Sequence, residues 1–162
     1  MRRIQEEFGL STVGVEPSYP MSGSTPGIVA ASGEQLPFES QCFDVVLCEC
    51  TLSLCENPEQ VLREIRRVLG PNGWLILSDV CGKETQLVEA GPLRRLYPVH
   101  WMKDMLEKYG FQIDLEEDHT KDLITMAAQL IMDGKEQEIC EVMQALGGKH
   151  CGYYLIIGQK RR

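Results

Sequence analysis

The strongest constraint on the fold is a pair of nearly continuous apolar runs with a helix pattern between them. Residues 43–48 read FDVVLC and residues 74–80 read WLILSDV. Continuous apolar character is typical of strands in a parallel sheet, because helices cover both faces of such a sheet. The helix is predicted over 58–69, with Asn57 as its N-cap and a proline at its first position. Strand, helix and strand in this order predict an α/β fold with parallel connections.

The rest of the chain continues this alternation. Apolar spacing predicts helices over 2–9, 99–110 and 121–147, the last in two parts, and strands over 10–15, 28–31, 111–117 and 153–158. Residues 19–27 are rich in Ser, Gly and Pro, which predicts a loop. We therefore expect a single domain over 1–162, with 121–147 as a helical insertion before the last strand.

The composition excludes several classes of function. The 162 residues are 43% hydrophobic and 25% charged, which is ordinary for a globular domain. No apolar run approaches the roughly 20 residues of a membrane-spanning helix, and no signal-peptide pattern is found. A net charge of −8 argues against nucleic acid and anionic membranes as partners. Seven cysteines, an odd number, favour reduced thiols and a cytoplasmic location.

Four segments, in order, carry a resemblance to a known family. They read VGVEPS (13–18), GEQLPFESQCFDVVLC (33–48), NPEQVLREIRRVLGPNGWLILSD (57–79) and YGFQI (109–113). Together they resemble the class I S-adenosylmethionine-dependent methyltransferases that act on small molecules. The resemblance implies a three-layer α/β sandwich around a mostly parallel, Rossmann-like sheet. It also implies S-adenosyl-L-methionine as cofactor and methyl transfer to a small molecule, which the sequence leaves unidentified.

The resemblance implies which residues bind the cofactor. Glu16, followed by Pro17, matches the acidic residue that ends the family's second strand, where a carboxylate accepts hydrogen bonds from both ribose hydroxyls. The adenine side falls on Ser32, Gly33 and Glu34. Ser32 stands where the family has an acidic residue, so a hydroxyl replaces a carboxylate as acceptor. The methionine side falls on the residues that follow the next strand, which are Cys48, Glu49, Cys50 and Thr51.

The expected acceptor pocket contains Cys50, Thr51, Cys55 and His119. Clustered thiols could bind a soft metal or metalloid, but cysteine is also a common small apolar residue. The spacing of Cys48, Cys50 and Cys55 matches no standard zinc module, so no metal ligands are predicted and the apolar interpretation is favoured. The histidine follows a strand, where a loop role without function is the favoured alternative. No catalytic base is assigned, because Ser53 and Leu54 stand where the family often has a histidine.

Relative to the family, the first strand and its glycine-rich loop are not found in the chain. No Gly-x-Gly-x-Gly precedes the helix predicted over 2–9, so we expect an N-terminally truncated domain. Three explanations of the missing strand remain open: the sequence starts late, a segment was lost, or the chain is a natural, non-catalytic remnant that serves in protein interaction. A cysteine-based metal or metalloid binder is a further alternative. The family's first strand is central in the sheet, so we expect self-association through the exposed edge, or a rearranged sheet.

Overall fold

The computed structural model describes residues 2–18, 26–82, 88–90, 93–134 and 151–161. Its helices are α1 (Arg2–Phe8), α2 (Pro58–Val68), α3 (Val99–Lys108) and α4 (Thr120–Met132), and a 3₁₀ turn covers Leu52–Leu54. Its strands are β1 (Gly14–Glu16), β2 (Ile28–Ala30), β3 (Phe43–Glu49), β4 (Leu69–Gly82), β5 (Val88–Ala90), β6 (Leu93–Leu96), β7 (Phe111–Asp118) and β8 (Cys151–Lys160).

The central sheet has four strands in the order β3-β4-β8-β7. β3 and β4 are parallel, whereas β8 is antiparallel to both of its neighbours, β4 and β7. β1 and β2 form a separate parallel pair, and β5 and β6 form an antiparallel pair. The predicted α/β fold is therefore confirmed, with a mixed central sheet flanked by helices.

The core lies between one face of this sheet and the helices α2 and α3. Alternate strand residues face the helices, and the apolar stripe of α2 repeats at helical spacing. The largest buried side chains of this layer are Leu62, Leu75, Leu77, Met102, Leu106, Phe111 and Ile156. α2 begins where predicted, since the side chain of Asn57 accepts a hydrogen bond from the backbone amide of Gln60 at 3.1 Å.

The opposite face of the sheet is apolar and partly exposed. Val45 pairs with Trp74 across β3 and β4, and Leu47 pairs with Ile76, so these side chains share one face. Val45 and Leu47 are 48% and 54% exposed. Within the described residues, β3 has β4 as its single partner strand, so its other edge is open as well.

The predicted elements are found, and several boundaries differ. β4 extends beyond 74–80 because residues from Leu69 onward already pair with β3, and the end at Gly82 pairs with β8. β1 starts at Gly14 rather than at residue 10, and Leu10 is 57% exposed. Of the helical segment predicted over 121–147, the first part is α4, and the part from 135 onward lies outside the described residues. In the part of the chain that is described, no helix is long and apolar enough to cross a membrane.

Candidate active site

The carboxyl ends of β3 and β4 lie together because the two strands are parallel. Glu49, the last residue of β3, pairs with Ser78, and the chain then turns sharply at Cys50. Cys50 has a φ of 47°, a left-handed conformation that is uncommon for residues other than glycine. Its backbone amide donates to the carbonyl of Ser78 at 2.8 Å, which holds the turn in place. Such backbone strain is typical of functional sites.

A buried carboxylate fixes the chain that leaves this turn. Asp79 is 1% exposed and accepts hydrogen bonds from the backbone amide of Ser53 at 2.9 Å and from its hydroxyl at 2.7 Å. The amide of Val80 donates to the same carboxylate at 2.8 Å. Burial raises the pKa of Asp79, although these donors act in the opposite direction. Sequence reasoning assigned no role to Asp79. The feature that could have indicated its buried role is that it is a single acidic residue within an apolar strand.

A second polar group joins β8 to this edge. The hydroxyl of Tyr153 donates to the hydroxyl of Ser78 at 3.1 Å, and the sulfur of Cys50 lies 3.6 Å from the Tyr153 oxygen. Burial raises the pKa of Tyr153 to about 12, so the phenol keeps its proton at neutral pH. Sequence reasoning assigned no role to Tyr153, because only the sheet pairing brings it to Cys50.

The three clustered cysteines have different environments. Cys48 is buried and Cys50 is exposed, while the thiol of Cys55 donates to the carbonyl of Thr51 at 3.1 Å. Burial raises the pKa of Cys48 to about 12 and also raises that of Cys50. Both thiols are therefore held in their neutral form, which is neither a strong nucleophile nor a metal ligand. Over the described ranges, no group of three or more His, Cys, Asp or Glu residues is arranged to hold a metal ion.

Glu16 ends β1, at the carboxyl end of the parallel pair that β1 forms with β2. One of its carboxylate oxygens accepts a hydrogen bond from the backbone amide of Ser18 at 3.0 Å. A carboxylate has about four acceptor positions, so this bond leaves capacity for the two hydroxyls of a ribose. Pro17, which follows Glu16, is exposed. The acceptor capacity of Glu16 therefore fits the predicted cofactor.

The loop 32–34 is tied to the start of α2. One oxygen of the Glu34 carboxylate accepts hydrogen bonds from the backbone amides of Glu56 at 3.1 Å and Asn57 at 3.4 Å. The hydroxyl of Ser32 bonds to the other oxygen, and this bond is the main reason why the pKa of Glu34 lies below its ordinary value. These bonds bring the predicted adenine side next to the chain that follows β3. Because the Glu34 carboxylate binds both the Ser32 hydroxyl and the amides before α2, its role is to hold the loop 32–34 in place.

His119 lies at the end of β7, with its ring between two carboxylates. Its two ring nitrogens lie 2.7 Å from Asp122 and 2.8 Å from Glu117, and hydrogen bonds to Asp122 and then Glu117 raise its pKa. Its backbone amide donates to the carbonyl of Tyr153 at 2.8 Å. This arrangement joins β7 to the start of α4, and both ring nitrogens are engaged by carboxylates of these two elements.

Comparison with known sequences finds similarity to a methyltransferase domain. The profile of the family described as "Methyltransferase domain" matches residues 1–77. A curated relative is the ubiquinone/menaquinone biosynthesis C-methyltransferase UbiE of Vibrio vulnificus. It is 26% identical over 130 residues, which are 80% of this chain and 46% of that protein. The chain spans less than half of the length of the curated relatives that it matches.

Comparison with solved structures gives the fold. A geranyl diphosphate methyltransferase in complex with SAM superposes with a TM-score of 0.81 at 13% identity, over 99% of this chain and 73% of that one. The [4+2]-cyclase SpnF gives 0.79 at 18% identity, over 99% and 70%. At such identities the likeness concerns the fold, and the cyclase is named for a reaction that is not methyl transfer. The family match over residues 1–77 and the shared fold make this chain similar to the class I S-adenosylmethionine-dependent methyltransferases.

Proposed function

We propose that this protein transfers a methyl group from S-adenosylmethionine to a small-molecule acceptor. The observation that carries the proposal is the pair of hydrogen bonds from the amides of Glu56 and Asn57 to Glu34. They connect the loop after β2 to the chain that follows β3. The residues implied for the adenine side and for the methionine side are thereby held at one edge of the fold, where ligands bind in open α/β sheets.

Each group of residues has a distinct role in this proposal. Glu16 accepts hydrogen bonds from the ribose hydroxyls, the loop 32–34 borders the adenine, and the segment 48–51 borders the methionine part. When bound, the cofactor supplies an activated methyl group on a sulfonium. The protein contributes alignment of the acceptor with that methyl group and exclusion of water, which require no strong acid or base. Neutral thiols at Cys48 and Cys50 suit this role because they avoid being methylated themselves.

The direct test is a calorimetric titration of the chain with S-adenosylmethionine and, separately, with S-adenosylhomocysteine. Saturable binding with one ligand per chain supports the proposal. Absence of binding at millimolar cofactor would refute it and favour a non-catalytic module that serves in protein interaction.

We also propose that two copies associate along the open edge of β3. Val45 and Leu47 are exposed on this strand, and within the described residues its outer edge pairs with no other strand. Such an edge presents unpaired amides and carbonyls beside an apolar surface, which favours pairing with another chain. Sedimentation at several protein concentrations tests this proposal, and a monomer at every concentration would refute it.

A further inference from the structure

A cavity of about 460 Å³ lies between the start of α2 and the segment that leads from β6 into α3. Its volume lies within the range of small-molecule sites. Asn57 lines it, and the amide of Asn57 also donates to Glu34. The cavity therefore borders the proposed cofactor site, but Arg95, Tyr97 and Trp101 on its other side have no role in the cofactor proposal.

One wall of the cavity is aromatic. Tyr97 and Trp101 stack with their ring centroids 4.1 Å apart and their planes inclined by 21°. Tyr97 is buried, so its position is fixed by the core, and Trp101 is half-buried. A rigid stacked pair at the border of a cavity suits a flat, apolar part of a ligand.

The charged side chains on the wall are not equivalent. Glu59 is paired with Lys108 at 3.0 Å and accepts a hydrogen bond from the hydroxyl of Tyr109, so its charge is already compensated. Arg95 is exposed and makes no hydrogen bond or ion pair with any residue in the described ranges. A guanidinium offers two parallel donors to a carboxylate or phosphate. Glu56 lies on the same wall and, like Glu59, has an interaction of its own.

From this arrangement we propose that the cavity is the acceptor pocket, and that it takes a small organic anion whose flat part lies against Trp101 and whose anionic group binds Arg95. The proposal rests on the methyltransferase function and names its substrate class. Arg95 is then a specificity residue, because a neutral or cationic analogue of the same shape loses the contact with the guanidinium.

The test uses benzoate, with benzyl alcohol and benzylammonium as its neutral and cationic counterparts. The chain contains two tryptophans, so Trp74→Phe leaves Trp101 as the single reporter of fluorescence. We expect saturable quenching by benzoate, and affinities for the two counterparts that are lower by about tenfold. Arg95→Gln should weaken benzoate by about tenfold, whereas Arg161→Gln, at an exposed arginine after β8, should leave it unchanged.

No benzoate binding, equal or tighter binding of benzylammonium, or unchanged benzoate affinity in Arg95→Gln would overturn the proposal. Circular dichroism of each variant establishes that it is folded. These titrations contain no cofactor, so a chain that binds benzoate through Arg95 but fails to bind S-adenosylmethionine would refute the proposed function and leave the anion site standing.

Discussion

The carboxylate of Asp79 accepts two hydrogen bonds from Ser53, one from the backbone amide and one from the hydroxyl. Asp79 belongs to β4 and Ser53 to the 52–54 turn, so the pair joins the central sheet to the chain that leaves β3. Both residues are buried, at 1% and 2% exposure. A pair of this kind determines the position of the segment that we assign to the methionine side of the cofactor.

Replacement of Asp79 by Ala should therefore destabilise the fold. The change leaves the amides of Ser53 and Val80 without their acceptor in a buried place, which costs about 2–4 kcal/mol of unfolding free energy. Ser53→Ala removes one hydroxyl and should cost about 1 kcal/mol. Urea unfolding of both variants measures these costs. Equal costs for the two variants would show that the carboxylate has no bonding role beyond the hydroxyl.

Glu34 should contribute to the dependence of stability on pH. Its pKa is lowered in the folded state, chiefly by the Ser32 hydroxyl, from an ordinary value of 4.5. A group with a lowered folded pKa stabilises the fold above its unfolded value, and this stabilisation is lost as the pH falls through the folded value. Urea midpoints measured from about pH 5 downward should therefore fall less steeply for Glu34→Gln than for the wild type. Parallel pH profiles would contradict this expectation.

The cysteines should differ in their rates of alkylation. Cys48 is buried with a pKa of about 12, so iodoacetamide should label it only after unfolding. Cys42 is exposed and should react in the native state. Cys50 is exposed too, but its raised pKa makes its labelling slow near neutral pH and faster as the pH increases. Mass spectrometry of peptides from native and unfolded samples measures each rate. Rapid native labelling of Cys48 would contradict its burial.

Glu16 should be important for cofactor affinity. In Glu16→Gln, one acceptor oxygen becomes a donor amide that faces hydroxyls, and affinity for S-adenosylmethionine should fall by about tenfold. Glu107→Gln on α3 removes an exposed carboxylate elsewhere and serves as the matched control. Calorimetry measures both variants. The role assigned to Glu16 would be withdrawn if the two variants bound the cofactor equally well.

Self-association should depend on β3. Leu47→Lys places a charge on its exposed apolar face, a substitution that natural edge strands use against pairing. We expect this variant to sediment as a monomer at concentrations where the wild type forms dimers. Ile124→Lys, at an exposed apolar residue of α4, is the control and should leave the association unchanged. A wild-type and a Leu47→Lys chain with the same oligomeric state would contradict the proposal.

The local patterns were sufficient to predict the main elements of the fold. Asn57 and Pro58 mark the start of α2, and the apolar stripe of that helix is the one that packs in the core. Local patterns could not predict β5 and β6, which are short. They also placed the start of β1 too early, because the apolar residue Leu10 is exposed and unpaired with β2.

The candidate site was predicted less completely, and the reason is physical. Glu16 and Cys50 follow strands, so their placement at a sheet edge comes from strand direction alone. Tyr153 reaches Cys50 from a strand 103 residues further along the chain, and only the pairing of β4 with β8 creates that contact. Arg95 and Trp101 border one cavity with Asn57 because the chain before α3 and the start of α2 are adjacent in space. Periodicity carries no information about contacts of this range.

β4 continues past its last pair with β3, at Ser78, and its final four residues pair with β8 from Tyr154 back to Cys151. Gly82, at the tip, also bridges to Pro98 at the start of α3. The ends of β4 and β8 therefore extend beyond the end of β3 as a two-stranded extension, which the bridge to Pro98 holds in place. Asp79, Cys81 and Tyr154 on this extension are buried, so a substitution there would disturb folding together with this edge of the sheet. Folding and the shape of the edge are thus coupled properties in this chain, and neither can be varied here without the other.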